Sequence, residues 1–163
     1  MNKYRYTKLG QFMYNFMNKS ALFLNKHKCL YYLLACTWGF ITTFLGLILT
    51  IIMFILGKKP KKWKNIYYFE IGQTWGGLEM GLMFIRDKTS DNTMNSHEYG
   101  HTFQNCILGP FFILLVAIPS AIRYWYQRIR TYKNLSNKPY DGIWFEGSAT
   151  NIGFELCFSN YLN

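Results

Sequence analysis

Five consecutive residues, His97-Glu98-Tyr99-Gly100-His101, concentrate the most reactive chemistry in this 163-residue chain. They use two of its 3 histidines. With 3 His and 5 Glu in the chain, the pattern HExxH arises by chance roughly 0.002 times. On a helix turning about 100° per residue, His97 and His101 stand about 40° apart on one face and one turn apart along it, so both imidazoles can bind one zinc ion. Glu98 falls between them in angle, where its carboxylate can take a proton from a water on the metal. Tyr99, Gly100 and Thr102 are uncharged, as a buried metal helix requires.

A catalytic zinc takes three protein ligands and keeps a fourth position for water. The remaining histidine, His27, sits among lysines, and the acids after His101 are Asp141, Glu146 and Glu155. Asp141 is expected as a helix N-cap. Glu146 and Glu155 are nine residues apart, about 900° or half a turn out of phase, so one helix can turn only one of them to the metal. Glu146 has the stronger case, because Ala149, Thr150 and Gly153 on its face are small and permit close approach to the metal helix. Glu155 is expected at the surface or facing headgroups, and Glu70 and Glu79 as structural or exposed.

The elements that must position these groups follow from the flanking sequence. The polar stretch DKTSDNTMNS, residues 87–96, supplies N-caps for a helix that begins near residues 93–95, runs to 108 and meets Gly109-Pro110. Residues 64–88 place aromatic and β-favouring residues on both sides of Gly76-Gly77, which predicts a strand pair or twisted hairpin. A charge-free segment, 102–122, contains Pro110 and Pro119 and reads as a kinked membrane helix, a half-buried helix or a core helix. Asp141-Gly142 opens a last helix through about Phe158. Tyr99, Trp144 and Phe145 are expected in the core.

Hydrophobic residues make up 50% of the chain and charged residues 16%, which excludes a disordered polymer. Residues 1–69 hold eleven Lys or Arg and no acid, so the net charge of +10 is an N-terminal property. Between Lys28 and Lys58 lie 29 uncharged residues, and a helix of about 20 already crosses the bilayer core. Residues 29–57 therefore read as a transmembrane helix behind a basic tail, residues 1–28. Tyr31 and Tyr32 mark one interface, and Trp63, Tyr67 and Tyr68 the other. The run is too long and starts too late for a signal peptide. Bases flank both ends, six before and five after, so orientation is not set by charge. The cluster Lys58-Lys59-Pro60-Lys61-Lys62-Trp63-Lys64 fits anionic headgroups better than nucleic acid. Gly39, Thr43 and Gly46 offer a surface for close helix contact. Cys29, Cys36, Cys106 and Cys157 have neither the spacing of a zinc site nor that of a disulfide framework.

His97-Glu98-Tyr99-Gly100-His101-Thr102-Phe103-Gln104, with Leu108-Gly109-Pro110, Ile118-Pro119-Ser120 and Trp144-Phe145-Glu146, resembles small, little-characterised bacterial membrane proteins of the zincin metallopeptidase type. The resemblance covers about residues 70–150. It implies a glutamate-zincin arrangement with His97, His101 and Glu146 as zinc ligands, Glu98 as catalytic base and a bacterial plasma-membrane location. It also implies an edge strand beside the metal, to which an extended peptide adds; residues 75–85 are the candidate, and an ordinary hairpin that packs the site is the alternative for the same span. Thr150 stands where such proteins often carry an Asp that orients a zinc-bound histidine. Its hydroxyl, or Asn151, is the available substitute.

These readings combine into a mainly α membrane protein: one N-terminal transmembrane helix, a short β-hairpin, an HExxH helix, a Pro-kinked apolar segment and a C-terminal helix, with residues 58–163 as the metallopeptidase domain. If residues 102–122 crossed the bilayer, His97 and Glu146 would start on opposite sides of it. The segment is therefore expected to be re-entrant or surface-packed, or else Glu146 reaches back inside, and the zinc site lies at or within the membrane boundary. The function expected is a membrane-anchored, zinc-dependent peptidase acting on peptides or proteins. The alternative is a noncatalytic membrane protein with a structural or vestigial metal and a basic tail that binds lipid or a partner.

Overall fold

A computed structural model describes residues 6–158 as six α-helices and a four-stranded mixed sheet. Where the sequence reads as a basic tail, helix α1 (Lys8–Lys26) begins at an N-cap, Thr7, whose side chain accepts from the Gly10 N–H. Its buried residues, Gly10, Tyr14, Met17, Ala21 and Leu24, repeat at spacings of four and three and form one apolar face. That face packs chiefly on the C-terminal helix and the HExxH helix. The lysines on the opposite side hide the stripe in a residue count.

The long apolar run is two helices, not one. Helix α2 (Lys28–Cys36) stops at Thr37, and α3 (Phe40–Ile55) restarts after Gly39. No single helix among the described residues is long and apolar enough to cross a bilayer; α2 and α3 together have the length and composition but are bent by 83°. Polar groups of the HExxH helix hold the break. Thr42 Oγ1 donates to Asn105 Oδ1 at 2.5 Å, and Trp38 Nε1 donates to Ile107 O at 3.3 Å. A Cβ on Gly39 would meet the Asn105 side chain at 3.1 Å. Small residues of α3 serve the sheet in the same way, since a Cβ on Gly46 would lie 2.1 Å from Met80 O. The contact surface of Gly39, Thr43 and Gly46 is therefore used within the chain. The outer side of α3 leaves Phe44, Leu47, Ile51 and Ile55 exposed.

The hairpin expected over residues 64–88 is part of a larger sheet. Strands β1 (Lys61–Trp63), β2 (Ile66–Glu70), β3 (Gly77–Met80) and β4 (Met83–Arg86) pair in the order β1-β2-β4-β3. Two antiparallel hairpins, β1/β2 and β3/β4, join through parallel pairing of β2 with β4. The polybasic run thus contributes an edge strand, and β3 is the other edge.

Helix α4 (Asn92–Leu108) carries the HExxH residues and is buried over most of its length. Asp91 caps it, accepting from the Thr93 N–H at 2.9 Å, and Gly109 ends it with φ of 56°, a conformation that favours glycine. The apolar stretch 102–122 is not one segment. Its first part completes α4, the chain turns at Gly109-Pro110, and a π-helical turn (Ile113–Ala117) leads into α5 (Ile118–Tyr132). The wider turn accommodates Pro119, which has no N–H to return to the helix.

A 3₁₀ turn (Tyr140–Gly142) precedes α6 (Trp144–Phe158), the principal neighbour of α4. Small residues permit the close crossing. A Cβ on Gly100 would lie 2.0 Å from Ala149 O, and one on Gly153 would lie 1.8 Å from Ser96 O. Met17, Ala21, Tyr31, Phe84, Tyr99, Phe103 and Ile152 form one core shared by α1, α2, the sheet, α4 and α6.

Candidate metal centre and catalytic site

The α4/α6 crossing brings together the three side chains singled out as ligands. His97 Nε2 lies 3.1 Å from Glu146 Oε2, His101 Nε2 lies 3.4 Å from the same oxygen, and the two Nε2 atoms are 3.1 Å apart. Zinc bonds of about 2.0–2.1 Å in a tetrahedral arrangement place neighbouring ligand atoms roughly 3.3–3.4 Å apart, so this triangle has the dimensions of a metal site. The helical spacing supplies the histidine pair, and the small residues of α6 supply the depth at which Glu146 meets it.

The hydrogen bonds on the far sides of the rings fix which nitrogen carries a lone pair inward. Thr150 Oγ1 donates to Asp141 Oδ1 at 2.9 Å, so its oxygen is free to accept from His97 Nδ1–H at 2.8 Å. Gln104 Nε2 donates to Phe145 O at 2.8 Å, which turns Oε1 to accept from His101 Nδ1–H, also at 2.8 Å. Both Nε2 atoms then face inward as acceptors in the neutral rings. Between them lies Glu146, fully buried, with neither carboxylate oxygen hydrogen-bonded. Burial acts to raise its pKa, whereas protonated imidazoles at His101 and His97 would hold the carboxyl below the usual range, so either extra protons on those rings or a metal cation must balance it. Two lone pairs and a buried carboxylate converging on one point repel each other unless a cation lies among them. The donor set of two imidazoles and one carboxylate suits zinc.

No family model matches the chain, nor does any curated protein or solved structure.

Glu98 points to the sheet side of the centre. A Cβ on Gly77 would lie 2.5 Å from Glu98 Oε1, so only glycine fits there without displacing the carboxylate. Burial raises the Glu98 pKa to about 7; the charge of His101 works against this, that of Glu146 with it, and the Glu79 N–H bonded to the carboxylate works against it. Glu79 itself is not at the surface. It is buried on β3, accepts from the Gly81 N–H at 2.5 Å, and is pushed well above the usual carboxyl range by burial.

A cavity of about 690 Å³ opens over the centre. The start of β3 forms one wall, with Trp75, Gly77 and Leu78, and the helix after Pro110 forms the opposite one, with Phe112, Val116 and Ser120. The Asp87 N–H donates to Gly76 O, so along the antiparallel pair the backbone groups of Gly77 and Glu79 turn outward from β4, toward the cavity. The candidate edge strand therefore borders the site. Asp87 sets its start: the carboxylate accepts from the N–H groups of Trp75, Gly76, Thr89 and Ser90.

Several participants are not evident from the sequence. Asp141 does not cap a helix through its carboxylate; it anchors Thr150 and through it His97, placing an acid behind the hydroxyl that stands at the expected Asp position. Asn151 turns away and donates to Asn18 of α1 at 3.1 Å. Tyr140 lies beside the centre, its hydroxyl 3.1 Å from Ser120 Oγ and its ring 6.3 Å from that of His97. Burial and the nearby Glu146 charge raise its pKa, so it stays protonated as a donor. Tyr99 and Phe145 are buried in the core, as their type predicts.

Proposed function

We propose that this chain is a membrane-associated, zinc-dependent peptidase that hydrolyses peptide bonds. The observation that carries the reading is the convergence of His97 Nε2, His101 Nε2 and the buried Glu146 carboxylate, with Glu98 beside them on an open cavity. When bound, a zinc ion at these residues would lower the pKa of a water and polarise a carbonyl.

The chain's own groups supply the rest. Glu98 takes the proton of the attacking water and returns it to the leaving amine. A single carboxylate beside the metal position can make both transfers in turn. Tyr140 keeps its proton and donates to the carbonyl oxygen as negative charge develops on it. Gly77 and the Glu79 carbonyl offer outward backbone groups to an extended peptide, while Trp75, Leu78, Phe112 and Val116 exclude water and receive apolar side chains. Thr150-Asp141 and Gln104 hold the two imidazoles in the required tautomer.

Association with a bilayer is supported by the exposed apolar side of α3 and by the exposed lysines that follow it, Lys58, Lys59, Lys61 and Lys62. The test of the enzymatic reading is metal content with turnover. Purified protein is expected to hold about one zinc. Glu98→Gln is expected to keep the metal and lose cleavage of a peptide library by about 10²-fold or more. A protein that binds no zinc, or a Glu98→Gln variant as active as the wild type, refutes it.

A further inference from the structure

Helix α5 is an anomaly of packing. It has 15 residues, none of them buried, and among the described residues the only element it packs against extensively is the π-helical turn from which it grows. Side-chain bonds tether it: Arg123 Nε donates to Tyr140 O at 3.1 Å, Arg128 Nη1 to Thr74 O at 2.8 Å, and Arg130 Nε to Ser136 O at 3.0 Å. One side covers the cavity with Ser120, Ala121 and Tyr124, and Trp125 stands at its rim, between the cavity and the outer side. The other presents Ile118, Ile122, Trp125, Ile129 and Tyr132, spaced four, three, four and three residues apart and between 47% and 89% exposed. Packing inside the chain does not account for such a stripe.

Charge identifies what covers it. At about 100° per residue, Arg123 and Arg130 lie on one flank of the Ile122 direction and Arg128 on the other, each some 80–120° away. Among the described residues none of the three forms an ion pair; each donates to carbonyl oxygens or meets a tyrosine ring. From Tyr99 to Tyr140 the chain has five bases and no acid. A second copy packed along the stripe would set arginines against arginines on both flanks, where helix pairs need opposite charges. An anionic bilayer meets both requirements at once, with acyl chains for the stripe and headgroups for the flanks. The stripe also joins an apolar surface. Phe111, Leu114 and Leu115 ahead of α5 are exposed, and the Phe111 ring lies 6.3 Å from that of Trp38, at the entry to α3.

We infer that α5 lies flat in the headgroup layer of an anionic bilayer, with Ile118, Ile122, Trp125, Ile129 and Tyr132 in the acyl boundary, and roofs the cavity from that position. Resting on the peptidase reading above, one further consequence is the substrate class: polypeptide segments that emerge from the same bilayer and enter the cavity between α5 and β3 at headgroup depth.

Photo-crosslinking tests the placement without needing catalysis. The full chain carries benzoylphenylalanine at Ile122 or Ile129 on the stripe, or at Gln127 or Thr131 on the polar side, and is reconstituted in vesicles of equal parts phosphatidylglycerol and phosphatidylcholine. Lipid adducts read by mass are expected to be at least about fivefold more abundant at 122 and 129 than at 127 and 131. They are expected to fall several-fold in vesicles of phosphatidylcholine alone. Equal labelling of the four positions, crosslinks from 122 or 129 to a second copy, or labelling unchanged without phosphatidylglycerol would each overturn the assignment. The same labelling pattern in a Glu98→Gln chain separates this result from the fate of the peptidase reading.

Discussion

Replacing Thr150 with valine removes one hydroxyl and keeps the β-branched shape, so it isolates the bond that orients His97. In the wild type that oxygen accepts from His97 Nδ1–H at 2.8 Å, and the hydroxyl donates to Asp141 Oδ1 at 2.9 Å. Valine leaves the Nδ1–H without an acceptor at a partly buried position, so the ring is free to flip or to change tautomer. Either change takes the Nε2 lone pair away from the point 3.1 Å from Glu146 where the three ligands meet. Loss of such an orienting partner weakens zinc binding by about 10–100-fold, which is roughly 1.4–2.7 kcal/mol. Competition titration against a fluorescent zinc chelator measures the change, with circular dichroism and thermal unfolding of the metal-free protein as controls. Thr150→Ser, which keeps the hydroxyl, is expected to bind within about threefold of the wild type. If Thr150→Val bound zinc as tightly as the wild type, with its fold intact, the assignment of Thr150 and Asp141 to His97 would be wrong.

Other consequences are equally direct. Gly77→Ala places a Cβ 2.5 Å from Glu98 Oε1, so it is expected to retain zinc while peptide turnover falls by about 10-fold or more; unchanged turnover would show that Glu98 is not fixed by β3. Tyr140→Phe removes the protonated donor and is expected to lower kcat by about 10–100-fold, with zinc affinity and KM nearly constant; a change confined to KM would assign Tyr140 to substrate binding instead. Asp87 is buried, which opposes ionisation, but the bonds it accepts from Thr89, Gly76 and Ser90 prevail and hold its pKa well below the ordinary value. A pKa lower in the folded state makes its contribution complete above the unfolded value of about 3.9 and lost as pH falls below that. Asp87→Asn is accordingly expected to cost about 2 kcal/mol at pH 7, and the gap in unfolding free energy between wild type and variant to narrow below about pH 4. A gap independent of pH down to 2 would contradict that.

The HExxH helix and the carboxylate that meets it are legible in the sequence because helix periodicity and small residues determine them. Asp91 and its polar neighbours start α4, Gly109 stops it, the four-residue spacing aligns His97 with His101, and the small face of α6 identifies Glu146 over Glu155. The edge strand is legible as a span but not as a sheet. β1 is written in lysines, and the parallel pairing of β2 with β4 is invisible to alternation within either strand. Hydropathy reads residues 29–57 as one helix because it sums composition. The break depends on Asn105 and Ile107 O, more than sixty residues away, gripping Thr42 and Trp38. In α1 the apolar stripe is present in the sequence, and the density of lysine obscures it. Asp141 passes for a cap because its link to Thr150 arises only once the 3₁₀ turn folds back beside α6.

Anomalous diffraction at the zinc edge from crystals of the metal-loaded protein tests the central claim most directly. The account predicts a single strong peak bonded at about 2.0–2.2 Å to His97 Nε2, His101 Nε2 and a Glu146 oxygen, with the remaining position open to the cavity that Glu98 borders. A peak without Glu146 among its ligands, or one closed by a fourth protein side chain, would contradict it.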